Sequence, residues 1–137
     1  MKVLFVCVGN SARSQMAEAI FNKIAGKKEA QSAGTQPADK VSSKAIAVMR
    51  EIGIDISMRK PKLLTREMVE KTEKIITMGC LDSASCPLFL LEDKSKLEDW
   101  KIEDPRDKPI EKVREIRDEI KRRVEGLAGE EKQGTIA

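Results

Sequence analysis

The chemistry of this sequence centres on one loop, C-V-G-N-S-A-R-S, which runs from Cys7 to Ser14. Five residues separate Cys7 from Arg13, and the loop joins an apolar run typical of a buried strand to a stretch with helical periodicity. Free backbone amides collect at a helix N-terminus, and successive amides of a wrapped loop form a nest for a tetrahedral oxyanion. The planar guanidinium of Arg13 can hold two oxygens of that anion. The sequence therefore predicts an oxyanion site formed by Val8, Gly9, Asn10, Ser11, Ala12, Arg13 and Ser14.

Cys7 is the nucleophile that this loop predicts. A cysteine attacks as its thiolate, and a helix N-terminus together with a guanidinium favours that form. The Ser14 hydroxyl can donate a hydrogen bond to the thiolate, the Asn10 amide can pin the loop, and Gly9 permits unusual backbone angles. An isolated cysteine and arginine at this spacing are more often a core residue and a solvated charge. The strand–loop–helix context favours catalysis here.

Two further cysteines, Cys80 and Cys86, lie in one predicted loop after an apolar strand. The chain has three cysteines, which fits one nucleophile plus a redox pair better than a structural disulfide framework. Five residues lie between them, so a disulfide can close if the loop bends. Two other interpretations stay open. The pair could be small buried hydrophobic residues, or ligands of a zinc site, which three scattered thiols without histidine would form poorly.

Apolar periodicity predicts the elements that position these residues, with Ser14 as the N-cap of the first helix. Predicted strands cover residues 2–7, 29–33, 74–78 and 100–102, and predicted helices cover 14–25, 42–52, a short stretch from 65, and 110–127. Strands that alternate with helices predict an α/β fold with a parallel sheet, in which ligands bind beyond the carboxyl ends of the strands. The Cys7 loop, the Cys80 loop and Asp104 follow the first, third and fourth strands, so we expect them to converge. We expect a single catalytic domain over residues 1–128 and a disordered tail over 129–137.

Composition excludes several classes of function. The net charge is only +3, and four aromatic residues, without an interleaved basic run, disfavour nucleic-acid binding. The absence of histidine excludes catalytic triads and His-ligated metals, and we expect no metal and no cofactor. The apolar start is too short to span a membrane, and nothing resembles an export signal, so we expect a cytoplasmic protein.

Several motifs together resemble the low-molecular-weight protein tyrosine phosphatase superfamily: C-V-G-N-S-A-R-S, the following Q-M-A-E-A, S-A-G at 32–34 and D-P at 104–105. The resemblance spans about residues 2–127. It implies a phosphatase-I fold, with a four-stranded parallel sheet flanked by helices on both faces. It also implies that Cys7 attacks, that Arg13 and the loop amides bind the oxyanion, and that Asp104 is the general acid. Without the Cys7 loop, Asp104-Pro105 would be interpreted as a common turn.

The segments I-T-M-G-C-L-D-S-A-S-C-P and I-E-D-P-R-D resemble the thioredoxin-coupled arsenate reductases of that superfamily. This resemblance implies that Cys7 attacks arsenate and that Cys80 then attacks the adduct, which releases arsenite. Cys86 finally attacks Cys80, and thioredoxin or a similar dithiol protein reduces the Cys80–Cys86 disulfide.

Two other functions and one ion remain open. A phosphatase would hydrolyse phosphomonoesters through a Cys7 phosphocysteine intermediate, although the chain has no tyrosine and few other aromatics to line a phenol pocket. A binding module would hold an oxyanion without turnover. Some members of the superfamily also bind potassium near the loop. Asn10, Glu18 and Ser32 match the associated positions, whereas Lys62 stands where an acidic partner is expected.

Overall fold

A parallel sheet of four strands forms the centre of the molecule. The computed structural model describes residues 2–82 and 86–136, apart from the side chains of Asp82 and of the residues beyond 130. The strands are β1 (Val3–Cys7), β2 (Ala30–Gly34), β3 (Lys74–Thr77) and β4 (Leu97–Asp99), in the order β2-β1-β3-β4. All neighbouring pairs are parallel. The predicted four-stranded parallel sheet is confirmed.

β1 is a central strand, and its sequence explains why. All of its residues are buried, as expected for a strand covered on both faces. Side chains alternate between the faces, so Val3 and Phe5 pack into one apolar cluster, whereas Leu4 and Val6 pack into the other. Cys7 follows at the carboxyl end of the strand.

Helices cover both faces of the sheet, as predicted. They are α1 (Arg13–Ala25), α2 (Ser43–Arg50), α3 (Arg66–Lys71) and α4 (Ile110–Ile136). Residues of α1, α2 and α4 share the cluster that contains Phe5, and Val69 of α3 belongs to the cluster on the opposite face. Ser42 and Thr65 cap α2 and α3 by accepting hydrogen bonds from backbone amides three residues further on, at 3.3 and 3.2 Å.

Two predicted boundaries at the site end of the sheet were wrong. Ser14 is not the N-cap of α1, because the helix begins at Arg13 and the cap residue, Ala12, makes no side-chain hydrogen bond. The fourth strand is Leu97–Asp99 rather than 100–102. Trp100 and Ile102 are buried because they pack into the core beyond the strand end, and Lys101 between them has a φ of 50°, which a strand cannot contain.

The C-terminal helix is longer than predicted. Residues 129–137 were expected to be a disordered tail, but the backbone of α4 is helical to Ile136. Gly129 does not adopt the left-handed conformation that ends many helices, and the next residues, E-E-K-Q, are good helix formers. The domain boundary near residue 128 stays a prediction.

Candidate active site

The loop after β1 is fixed through its carbonyl oxygens. Those of Cys7, Val8, Gly9 and Ser11 accept hydrogen bonds from the backbone amides of residues 35–42, at 2.8 to 3.2 Å. Gly34 backs the loop, and a Cβ atom there would lie 2.6 Å from the Val8 carbonyl oxygen. The S-A-G motif therefore ends in glycine because the loop backbone passes too close for any side chain. Because these carbonyl oxygens are hydrogen-bonded to residues outside the loop, the loop suits an anion.

The Cys7 sulfur has two hydrogen-bonding partners. Its Sγ lies 2.9 Å from Ser14 Oγ and accepts a hydrogen bond from the Asn10 backbone amide at 3.2 Å. The Asn10 side-chain amide donates to Ser14 Oγ at 2.7 Å, so the Ser14 hydrogen is free to point at the sulfur. Two hydrogen-bond donors therefore converge on this sulfur. Ser14 and Asn10 therefore make the contacts predicted from the sequence, and their roles in a reaction stay predictions.

Asn10 is the hub of a buried hydrogen-bond network. It has a φ of 51°, which asparagine tolerates better than most residues. Its Oδ1 accepts from Gln15 Nε2 at 3.1 Å and from the Lys62 amide at 2.9 Å, and its Nδ2 also donates to Ser32 Oγ at 3.0 Å. Gln15 was missed by sequence reasoning, although a polar residue that is 1% exposed inside a helix must have a partner.

Arg13 is in contact with two other loops. Its side chain is buried, Nη1 donates to the Ile102 carbonyl at 3.0 Å, and Nη2 lies 3.8 Å from Asp104 Oδ2. Gly79 follows β3 and packs against the same guanidinium, because a Cβ there would lie 2.8 Å from Nη1. The predicted convergence of the loops after the first, third and fourth strands is therefore observed at Arg13. The contacts of Gly79 and Ile102 were not predicted.

Asp104 stands at the open side of the cleft. Its side chain is 59% exposed, and its Oδ1 accepts a hydrogen bond from the Arg106 amide at 2.9 Å. Described residues that line the cleft are Cys7, Val8, Gly9, Ser11, Ala12, Arg13, Gln36, Pro37, Ala38, Ser42, Ser43, Lys44, Asp104, Pro105, Arg106 and Asp107. No aromatic ring is among them, and the lining suits a small charged ligand.

Cys80 and Cys86 lie on the other side of the sheet from most of the core around Cys7. Both are free thiols and pack in the cluster that contains Leu4 and Leu90. Burial, with smaller contributions from the nearby Cys86, Cys7 and Asp99, raises the pKa of Cys80 to about 12. Burial also raises the pKa of Cys86, and a hydrogen bond with Cys80 offsets part of this effect. Cys80 therefore shares a cluster with Cys86 and follows the strand that neighbours the one ending in Cys7.

Almost the whole sequence matches a known protein family. The match to the low molecular weight phosphotyrosine protein phosphatase family covers residues 2–135. The chain belongs to this family. One relative, arsenate reductase 2 of Staphylococcus haemolyticus, is 38% identical to this chain over 125 residues, covering 91% of this chain and 94% of the relative.

Solved structures named as phosphatases and as arsenate reductases are both similar to this chain. A low molecular weight protein tyrosine phosphatase from T. tengcongensis is 33% identical, with a TM-score of 0.83 over 95% of this chain and 99% of that one. An arsenate reductase from Archaeoglobus fulgidus is also 33% identical, with a TM-score of 0.76 over 93% of this chain and 99% of that one. The phosphatase fold is therefore confirmed. In the part of the chain that the structure describes, no helix has the length and apolarity needed to cross a membrane.

Proposed function

We propose that this protein is an arsenate reductase, which reduces arsenate to arsenite with electrons from thioredoxin or a similar dithiol protein. The observation that carries the proposal is the arrangement of the thiols. Cys80 packs in the same cluster as Cys86, and it follows β3, the strand that neighbours β1 and its last residue Cys7; this is the order that a three-cysteine relay requires. Relatives that carry the name arsenate reductase support the same activity.

The first step forms a bond between sulfur and arsenic. Arsenate binds to the loop amides and Arg13, and the Cys7 thiolate attacks arsenic(V). One oxygen of arsenate leaves as water, with Asp104 as the proton donor. Asp104 is suited to this role because it faces Arg13 and is open to solvent, from which it can take up another proton.

The next steps transfer two electrons. Cys80 attacks the Cys7 sulfur, the sulfur–arsenic bond breaks, and its electron pair stays on arsenic, which leaves as arsenite. A Cys7–Cys80 disulfide results. Cys86 then attacks Cys80, which frees the Cys7 thiolate and leaves a Cys80–Cys86 disulfide. An external dithiol supplies the two electrons that reduce this disulfide.

The relay requires the Cys80 loop to rearrange. Cys80 is fully buried in the cluster opposite Cys7, and a thiol with a pKa of about 12 has almost no thiolate near neutral pH. We therefore propose that formation of the arsenic adduct is followed by a movement that brings Cys80 out of this cluster. The predicted mobility of the loop belongs to this proposal, because residues 83–85 lie outside the described part of the chain.

The cleft favours a small oxyanion over a phosphotyrosine. Its described lining contains no aromatic ring to hold a phenol, and Lys44 and Arg106 place two cations beside the loop. Because the relay works only with reduced thiols, we propose that the protein acts in the cytoplasm.

A phosphomonoesterase is the second candidate function. The family name and the T. tengcongensis structure favour it, and its chemistry needs only Cys7, Arg13 and Asp104. We expect slow hydrolysis of p-nitrophenyl phosphate as a side activity, because phosphate and arsenate have the same shape and charge. A module that only binds oxyanions is a third possibility, and the intact nucleophile, arginine and acid argue against it.

A coupled assay tests the proposal. Reduced protein is mixed with arsenate, thioredoxin, thioredoxin reductase and NADPH, and the absorbance of NADPH is followed. We expect arsenate-dependent consumption that is lost in Cys80→Ser and Cys86→Ser variants. No consumption with any dithiol donor, together with efficient Cys7-dependent hydrolysis of p-nitrophenyl phosphate, would instead identify a phosphatase.

A further inference from the structure

A buried ion pair lies behind the catalytic loop. Glu18 of α1 is 3% exposed, and its Oε1 accepts a hydrogen bond from Ser32 Oγ at 2.7 Å. Its other oxygen, Oε2, pairs with the Arg59 guanidinium. A buried carboxylate requires such a cation, because an uncompensated charge inside a protein is strongly unfavourable. Arg59 comes from the connector after α2, and one-third of its side chain is exposed.

A continuous chain of hydrogen bonds joins this pair to the nucleophile. Ser32 donates to Glu18 and accepts from Asn10. Asn10 donates with the same side-chain amide to Ser14, whose hydroxyl is thereby directed to the Cys7 sulfur. Each serine hydroxyl accepts one hydrogen bond and donates another. The orientation of every member therefore depends on the position of the carboxylate at the far end.

The segment that carries Arg59 also contacts the network through its backbone. The Lys60 carbonyl accepts from Gln15 Nε2 at 3.2 Å, and the Lys62 amide donates to Asn10 Oδ1 at 2.9 Å. Arg59 thus attaches a whole segment to the underside of the loop. The ion pair and both backbone contacts therefore hold the same segment against the loop.

The same residues do not fit a potassium ion. Asn10, Glu18 and Ser32 are the positions that the superfamily resemblance associates with that ion. Here both Glu18 oxygens and Asn10 Oδ1 already accept hydrogen bonds, and the carboxylate is neutralised by a guanidinium. A metal ion bound to these oxygens would face the charge of Arg59 at contact distance.

We propose that Arg59 is a positioning residue for Cys7, and that its guanidinium serves as a built-in cation which makes the site independent of monovalent metal ions. The proposal deepens the proposed function, since it rests on Cys7 as the nucleophile. It applies equally to attack on arsenate and on a phosphomonoester. Arg59 acts through Glu18, Ser32, Asn10 and Ser14 and does not touch the substrate.

The test measures Cys7 alkylation by iodoacetamide in the full-length reduced protein, with mass spectrometry of the Cys7 peptide. We expect Arg59→Met to slow alkylation about 10- to 100-fold, the range that loss of a hydrogen bond to a charged group produces. Arg59→Lys should retain most of the rate, and added guanidinium chloride at low concentration should restore part of it in Arg59→Met. The matched control is Arg114→Met, which removes an exposed arginine near the start of α4 that pairs with Glu51 at 2.9 Å.

Two further measurements keep the proposal falsifiable. The rate for the unsubstituted protein should be the same in potassium chloride and in choline chloride. If Arg59→Met does not fold, as judged by circular dichroism, the double variant Glu18→Gln, Arg59→Met decides, because it leaves no buried charge. The double variant should be alkylated faster than Glu18→Gln alone, in which Arg59 is left unpaired. An unchanged alkylation rate in Arg59→Met, or a requirement for potassium in the unsubstituted protein, would overturn the proposal. Because alkylation needs no arsenate, a failure of the arsenate assay alone would count against the proposed function and not against the role of Arg59.

Discussion

Gly79 offers a direct test of how the Arg13 guanidinium is held. A Cβ atom at this position would lie 2.8 Å from Arg13 Nη1. Unstrained contacts between heavy atoms of this kind are about 3.5 Å or longer, so Gly79→Ala must displace the guanidinium by about 0.7 to 1 Å. Displacements of about 1 Å at a catalytic group can lower the rate about 100-fold. We therefore expect kcat/KM to fall by about two orders of magnitude.

The same substitution has a separate effect on stability. Gly79 has a φ of 89°, a conformation that costs a residue with a Cβ about 1–2 kcal/mol. Gly26 is a matched control, because its φ is 74° and no atom lies within 4 Å of an added Cβ. Urea unfolding should show a similar loss of stability in Gly79→Ala and Gly26→Ala. Only the former should lose activity.

Hydrolysis of p-nitrophenyl phosphate is the appropriate assay. This reaction depends on Arg13 but does not need Cys80, the neighbour of Gly79 in the chain. A loss of activity therefore reports on the oxyanion clamp and not on the relay. If Gly79→Ala retains the kcat/KM of Gly26→Ala, contact with Gly79 does not hold Arg13 in place.

Four more outcomes are expected. The pKa of Cys80 is raised from 9.0 to about 12, so its alkylation in the resting protein should be slow at neutral pH and accelerate through pH 12; rapid labelling at pH 7 would contradict this. The folded protein favours the neutral Cys80 thiol, and this preference contributes fully to the free energy of unfolding below pH 9. In urea titrations, the free energy of unfolding relative to Cys80→Ser should therefore decline between pH 9 and pH 12. Ser14→Ala removes a hydrogen bond to the thiolate and should slow Cys7 alkylation about 10-fold or more. Equal alkylation rates in this variant and the unsubstituted protein would contradict this expectation. Asp104→Asn should lower kcat for arsenate about 10²- to 10⁴-fold and leave Cys7 alkylation unchanged; an unaffected kcat would exclude Asp104 as the acid.

The local features of the site were predictable because they depend on neighbours in the chain. The motif from Cys7 to Ser14 directly follows an apolar run, and this order alone indicates a loop between a buried strand and a helix. The parallel sheet followed from the alternation of elements, which then indicated that the loops after β1, β3 and β4 would meet. Their contacts with Arg13 agree with that expectation.

Contacts between distant parts of the chain could not be predicted in the same way. Arg59 lies in a polar connector, and nothing in its neighbourhood indicates that it pairs with Glu18 of α1. Gly79 carries no side chain, so its role appears only when the Arg13 guanidinium is seen against its backbone. The error in β4 has a similar origin. Trp100 and Ile102 are apolar because they fill the core, and not because they belong to the sheet.

Mapping the disulfides after one turnover tests the central claim most directly. Reduced protein is mixed with one equivalent of arsenate, quenched with acid, alkylated and digested, and the linked peptides are identified by mass spectrometry. The relay predicts a Cys80–Cys86 disulfide in the unsubstituted protein and a Cys7–Cys80 disulfide in Cys86→Ser. Three free thiols after incubation with arsenate, in protein whose Cys7 still reacts with iodoacetamide, would contradict the arsenate reductase mechanism.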